Sequence, residues 1–399
     1  MWRCGIIPLQ EEYRLRNTEL GTEMKTDYES LQTLDLTPIT TLEDLLEGLE
    51  CKAIELGWPV RLQILLATEP VDTVFRKWGT QFEARQLSLP LRVWELIVPR
   101  RPPFQASIQW FVVEHSRNVL VLITNEHVDL LRTPLNRWIS HYRPLFSPML
   151  LNTTSMRSIL NSISRMNQLQ GRVMLNRVSW RGRLMEPTQR KLLESSQVWT
   201  DRPYDEVFDE LRDQRKWPTS VHFHFSFSSG DSDHGCNQVE GSMSKGGEFT
   251  SSGCLHDYFA SVVSVAADQA RGDQSFFAGR AVQDSAVAGF KPLIVKYDEP
   301  VFADRSQNRL LARVLESLPN AGVSVLHPNP YLRAAVVDYV DGSVYDIWVV
   351  CNDRITIVPK SRATSSALER LCAHICADFR DGTIGDYVEI EDGEDSHLT

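Results

Sequence analysis

The stretch 111–123, FVVEHSRNVLVLI, carries two apolar runs, Phe111-Val112-Val113 and Val119-Leu120-Val121-Leu122-Ile123, on either side of a polar connection at 115–118. Short runs rich in β-branched and aromatic residues around such a connection read as a β-hairpin. Neither run alternates with polar residues, so both faces of these strands are expected to be covered. Working outward, strand-like runs also occupy 60–66, 91–98, 107–114 and 118–124. A helix precedes them: Leu42, Leu45, Leu46, Leu49, Ala53 and Leu56 form one apolar stripe, Thr40 and Glu43 have the spacing of a capping box, and Gly57 stops it. Downstream, Pro148 and Thr153-Thr154-Ser155 introduce a helix with Met156, Ile159, Leu160 and Ile163 on its inner side.

The C-terminal part repeats this plan. Residues 335–340 and 345–350 flank Asp341-Gly342, a favoured hairpin dipeptide. Pro359 and Thr364-Ser365-Ser366 then precede a helix with Leu368, Leu371, Cys372, Ile375 and Phe379 on one face, Ser366 and Glu369 as its cap and Gly382 as its stop. A hairpin, a third short strand and a capped helix in each half predict two related lobes, although chance recurrence of a common unit gives the same pattern. The expected fold class is α+β: two similar lobes, each a mainly antiparallel sheet with packed helices, joined by a basic ribbon and a Gly/Ser-rich loop. The boundaries are an N-terminal extension at 1–39, an N-terminal lobe at 40–171, the ribbon, a short helix and the flexible loop at 172–253, a C-terminal lobe at 254–383 and an acidic disordered tail at 384–399. The loop reading rests on six glycines and seven serines at 228–253, too few apolar residues to pack a core.

Charge is distributed unevenly. The chain carries 42 Lys and Arg against 52 Asp and Glu, a net −10, yet residues 132–191 hold ten arginines and Lys191 against the single acid Glu186. A local +10 inside an acidic protein concentrates positive field, and arginine's planar fork suits phosphate. The nucleic-acid-binding candidates are Arg143, Arg157, Arg165, Arg172, Arg177, Trp180, Arg181, Arg183, Arg190 and Lys191. Read as a strand, 172–183 (RVMLNRVSWRGR) puts Arg177, Arg181 and Arg183 on one face with Val173 and Leu175. Trp180 then lies on the other, where it stacks on a base only if the ribbon twists. The competing reading pairs these arginines with acids of the same chain or of a partner.

Two other constellations carry chemistry. His234, Cys236, Cys254 and His256 are the zinc-preferred ligand types at the two ends of the Gly/Ser loop, but neither pair has the spacing of a zinc knuckle. Asp338, Asp341 and Asp346 with Lys360 approach a nuclease-like acid pattern that fails at Val358, where a second metal-binding acid is needed. No phosphate-binding loop or nucleophile elbow is present. Seven scattered cysteines and a first segment lacking a long apolar core predict a cytoplasmic protein with no membrane segment. The expected function is therefore non-catalytic: a nucleic-acid-binding subunit, for DNA or RNA, of a larger assembly with another protein subunit and no cofactor. The alternatives are a metal-dependent nuclease or hydrolase and a subunit docking an acidic protein.

Overall fold

In the computed structural model, the described residues are 34, 36, 39–78, 83–87, 89–90, 92–98, 108–125, 145–166, 169–183, 193–227, 238–281, 291–328, 330–360 and 362–387. In chain order the elements are α1 Leu42–Leu56, β1 Val60–Ala67, α2 Val71–Trp78, β2 Glu83–Gln86, β3 Val93–Val98, β4 Ile108–Ser116, β5 Val119–Thr124, β6 Phe146–Pro148, α3 Thr153–Ser164, β7 Leu169–Arg183, β8 Leu193–Pro203, α4 Tyr204–Asp213, β9 Lys216–Phe227, β10 Gln238–Ser244 and β11 Glu248–Ser251. A long helix α5 follows, running Leu255–Tyr258, through a π-helical turn at Phe259–Val263, into Ser264–Ala278. Then come β12 Leu293–Lys296, α6 Ser306–Glu316, β13 Ala321–His327, β14 Leu332–Asp338, β15 Val344–Val349, β16 Arg354–Pro359, α7 Ser365–His374 and β17 Thr383–Asp386. The chain is α+β, with antiparallel sheets of eleven and six strands.

The larger sheet runs β2-β3-β4-β5-β1-β11-β10-β9-β7-β8, with β6 also paired to β1, and the smaller runs β13-β14-β15-β16-β12-β17. Within both, a first strand (β1, β12) is followed by a helix (α2, α6) and four consecutive antiparallel strands whose last member returns beside the first. The hairpin at 111–123 forms as β4 and β5. Its runs are apolar throughout because the sheet is covered on both sides there. Val119, Val121 and Ile123 face a core shared with α1, α3 and α5, whereas Leu120 and Leu122 face a second core with Val71, Val74 and Phe75 of α2.

Local capping differs from the expectation by a residue or more. The box that opens α1 is Thr41 with Asp44, not Thr40 with Glu43; Thr41 and Thr40 both donate to the Asp44 carboxylate, holding its pKa below the usual value. Gly57 ends the helix with φ 65°, a left-handed conformation that glycine tolerates. Asn152 caps α3 and Thr364, not Ser366, caps α7. Glu369 is consequently free of any capping duty.

The joining segment is where the expectation fails most. Residues 238–251, expected in a mobile loop, form the β10–β11 hairpin at the middle of the larger sheet, with Val239, Met243 and Phe249 buried. Glycine is needed here for packing: a Cβ on Gly241 would lie 2.3 Å from the ring of Tyr258, whose hydroxyl donates to the Ser242 carbonyl. The buried face of the hairpin sets Gly241, under the Tyr258 ring, between Val239 and Met243, and composition alone does not distinguish such a glycine from a loop glycine. Residues 228–237 lie outside the described residues. The basic ribbon, likewise, does not join two lobes but forms β7 inside the larger sheet, between β8 and β9. Helix α5 spans both halves, since Leu255, Val262 and Ala270 pack in the first sheet's core and Phe277 in the second's. Residues 384–386, expected in the tail, complete β17 on β12; the rest of the tail, 388–399, and most of 1–39 lie outside the described residues.

Candidate functional site

The strand carrying the basic residues is not regularly alternating. Val173, Leu175, Val178 and Trp180 all enter the core, and the three-residue step from Leu175 to Val178 is made by a bulge between Leu175 and Arg177. A bulge of this kind turns every later side chain to the opposite face. Trp180 is therefore a core residue, 6% exposed, with the Lys216 ammonium 3.9 Å over its ring, and it is not available to stack on a base. Arg177 stays on the outer face, together with His222 and His224, while Val221, Phe223 and Phe225 of the same neighbouring strand point inward.

The fold supplies acids to three of the five candidate arginines whose side chains are described. Arg157 pairs with Asp209 of α4 at 2.5 Å, and Arg172 approaches Glu206 of the same helix at 3.7 Å. Arg202 reaches Glu210 at 2.6 Å, so α4 screens this side of the sheet with its acidic face. Arg181 turns toward the smaller sheet, donating to the Ala377 carbonyl at 3.2 Å, with Asp378 at 3.5 Å. Arg165, just beyond α3, is exposed and carries no ion pair among the described residues. Arg143, Arg190, Lys191 and the Arg183 side chain lie outside the described residues. The described candidate arginines thus do not share one face.

One aromatic residue missed in the sequence lies on that outer face. Trp199 of β8 is directly opposite Arg177 and 72% exposed, and the guanidinium sits 5.2 Å from its ring centroid. Arg177 is fixed from two further sides. It donates to the His222 ring, and with the Gln197 amide oxygen turned toward it, Nε and Nη1 donate at 2.9 and 3.2 Å. Burial and the Arg177 charge push the His222 pKa down to about 4, so the imidazole is neutral near pH 7 and accepts. The single available signal was the alternation of β8, which its polar composition obscures.

The remaining candidates that are described make structural contacts. Cys254 is 2% exposed, and burial pushes its thiol up to about 12, which disfavours a metal-binding thiolate; His256 lies 3.4 Å from Asp257. His234 and Cys236 lie outside the described residues, and among the described residues no three His, Cys, Asp or Glu side chains are grouped to hold a metal. Asp338 and Asp341 both grip Arg370, at 2.7 and 3.3 Å, and Asp346 pairs with Lys360 at 2.9 Å.

A second site, unseen in the sequence, opens between the two sheets. Asp381 accepts from the Thr153 backbone N–H at 2.7 Å, at the N-terminus of α3, and from Lys245 at 2.5 Å; Lys245 also donates to the Cys376 carbonyl at 2.8 Å. The side chains of this pair are 11% and 6% exposed, which makes it a buried charge pair across the seam. Beside it lies a cavity of about 750 Å³ bounded by β6, α5, α7 and the turn after β10. Two of the four carboxyls that line it, Glu369 and Asp273, are raised by burial to about 7 and about 6. No protein-family model and no curated protein matches the chain.

Proposed function

We propose that the chain is a non-catalytic nucleic-acid-binding subunit that holds an unpaired strand on the outer face of β7, β8 and β9. The observation that carries this reading is Arg177 immobilised over the exposed Trp199. An indole offers a stacking surface to any base, and a guanidinium fixed beside it offers the charge a phosphate needs. The three strands carry Arg172, Arg177, Arg181, Arg183, Arg202 and Lys216 against Glu194 and Asp201, in a chain that is acidic as a whole. The ion pairs to α4 and to Asp378 narrow the proposed contact set to Arg177 and Trp199, with Arg165 as the exposed cation nearby in sequence.

Strand β8 pairs only with β7 among the described residues, and its open edge is the place we propose for another protein subunit. The common order of strands in the two sheets supports reading them as two copies of one unit. A cytoplasmic location is part of the same proposal; among the described residues no helix is long and apolar enough to cross a membrane, and the described cysteines are free thiols.

Fluorescence anisotropy of nuclease-treated protein with labelled single- and double-stranded DNA and RNA tests the reading. Binding to a single strand that weakens steeply with salt supports it. No binding to any of the four at low salt removes it and leaves an acidic protein partner as the occupant of this face.

A further inference from the structure

The cavity between the sheets is independent of the strand-binding face and has its own chemistry. Its walls are largely apolar, with Met149, Phe276, Phe277, Leu318 and Ile384 among them. Every basic group on the wall already has an acid: Arg370 has Asp338 and Asp341, Lys245 has Asp381, and Arg181 and His374 share Asp378. The acids are not matched in the same way. Glu369, only 8% exposed, accepts a hydrogen bond from the Ser147 hydroxyl at 2.5 Å but has no ion pair among the described residues, and Asp273 has neither a hydrogen bond nor an ion pair among them. Two carboxyls without an ion pair among the described residues therefore open into an apolar chamber whose described cations are all engaged.

We propose that this cavity binds an organic ammonium ion carried on an apolar body, with the ammonium against Glu369 and Asp273 and the body against the phenylalanines. An ammonium supplies both the missing charge and the N–H donors that a carboxylate accepts. A bare metal ion fits less well, because it needs more oxygen ligands than these two side chains provide. An anionic ligand meets no uncommitted cation on the wall.

Binding is linked to protons. In the empty cavity burial favours the neutral carboxyls, countered at Glu369 by Ser147 and Arg370 and reinforced by Asp273. A bound cation favours the ionised forms, so an ammonium displaces protons and its affinity rises with pH until both acids are ionised. His374, the histidine on this wall, which also carries Asp338, Asp378, Lys245, Arg181 and Arg370, has its pKa raised despite burial by hydrogen bonds to Asp378 and the Val314 carbonyl. It is a neighbouring charge and not the expected source of the protons, since a cation favours its release only through repulsion.

Isothermal titration of the full chain with n-hexylammonium and phenethylammonium, each against the matching uncharged alcohol, tests the proposal. The ammonium ions should bind, the alcohols should bind at least about tenfold more weakly, and Glu369→Gln and Asp273→Asn should each cost a similar factor. Repeating the titration in buffers of different ionisation enthalpy should reveal proton release. Because Glu369→Gln perturbs a buried site, Asp273→Asn, on the half-buried side of α5, is the variant that separates lost recognition from lost folding. Alcohols that bind as well as the ammonium ions, or an Asp273→Asn protein that folds and retains full affinity, overturn the proposal.

Discussion

The basic ribbon and the seam between the sheets hold their charges in opposite ways. Strand β7 belongs to the most positive stretch of the chain, yet the fold brings α4 against it and gives Arg157 and Arg172 acidic neighbours at the surface. The seam draws single charges from distant segments, buries Lys245 with Asp381, and leaves Glu369 and Asp273 without cations. Charge density along a sequence therefore says little about free charge in the fold. What matters is which segments are brought opposite each other, and how deeply.

That contrast can be broken most forcefully at the seam. Asp381→Ala removes the partner of a buried ammonium and a helix N-terminal acceptor together, and should cost about 3–5 kcal/mol of stability in urea unfolding. A cost below about 1 kcal/mol would place Lys245 in water and reduce the seam to a surface contact. The pH dependence at Glu369 sharpens the same point. Its pKa is raised when folded, so the folded state binds this proton more tightly, and the associated stability is complete below the unfolded value and lost as pH rises through about 7. Relative to Glu369→Gln, the wild type should lose stability between about pH 4.5 and pH 7, by at most about 1.4 kcal/mol per pH unit. Parallel stability curves for the two proteins would show that this carboxyl titrates normally. At the ribbon the expected effect is smallest: Arg157→Ala breaks a surface pair and should cost about 0.2–1 kcal/mol in the same assay. A loss of several kcal/mol would mean that α4 depends on this pair for its position.

Much of the fold was legible because it rests on local pattern. The apolar stripe of α1, the two runs of the β4–β5 hairpin and the inner face of α3 each carry their own period, and each forms. The β10–β11 hairpin was not legible, because Gly241 is explained by Tyr258, a residue outside the hairpin and on another element. The bulge after Leu175 hid the true facing of Trp180 and Arg177, since one inserted residue reverses an alternation without leaving a composition signal. The cavity was hidden for a different reason. Glu369 occupies the spacing of a capping residue, and only the placement of β6 against α7 shows that Ser147 is its partner instead. Asp273 sits on a polar turn of α5 that reads as solvated until α7 packs against that helix and the cavity closes around it.

The most direct measurement is the affinity of a labelled single-stranded oligonucleotide for Trp199→Ala beside Arg157→Ala, at low salt and with both variants shown to be folded. The expected result is a loss of about 1–3 kcal/mol of binding free energy for Trp199→Ala, the size of one base–aromatic stack, and no change for Arg157→Ala. The reverse pattern, with Arg157 governing affinity and Trp199 without effect, would contradict the division drawn between the arginines that the fold has already paired and the one it holds ready beside an open indole.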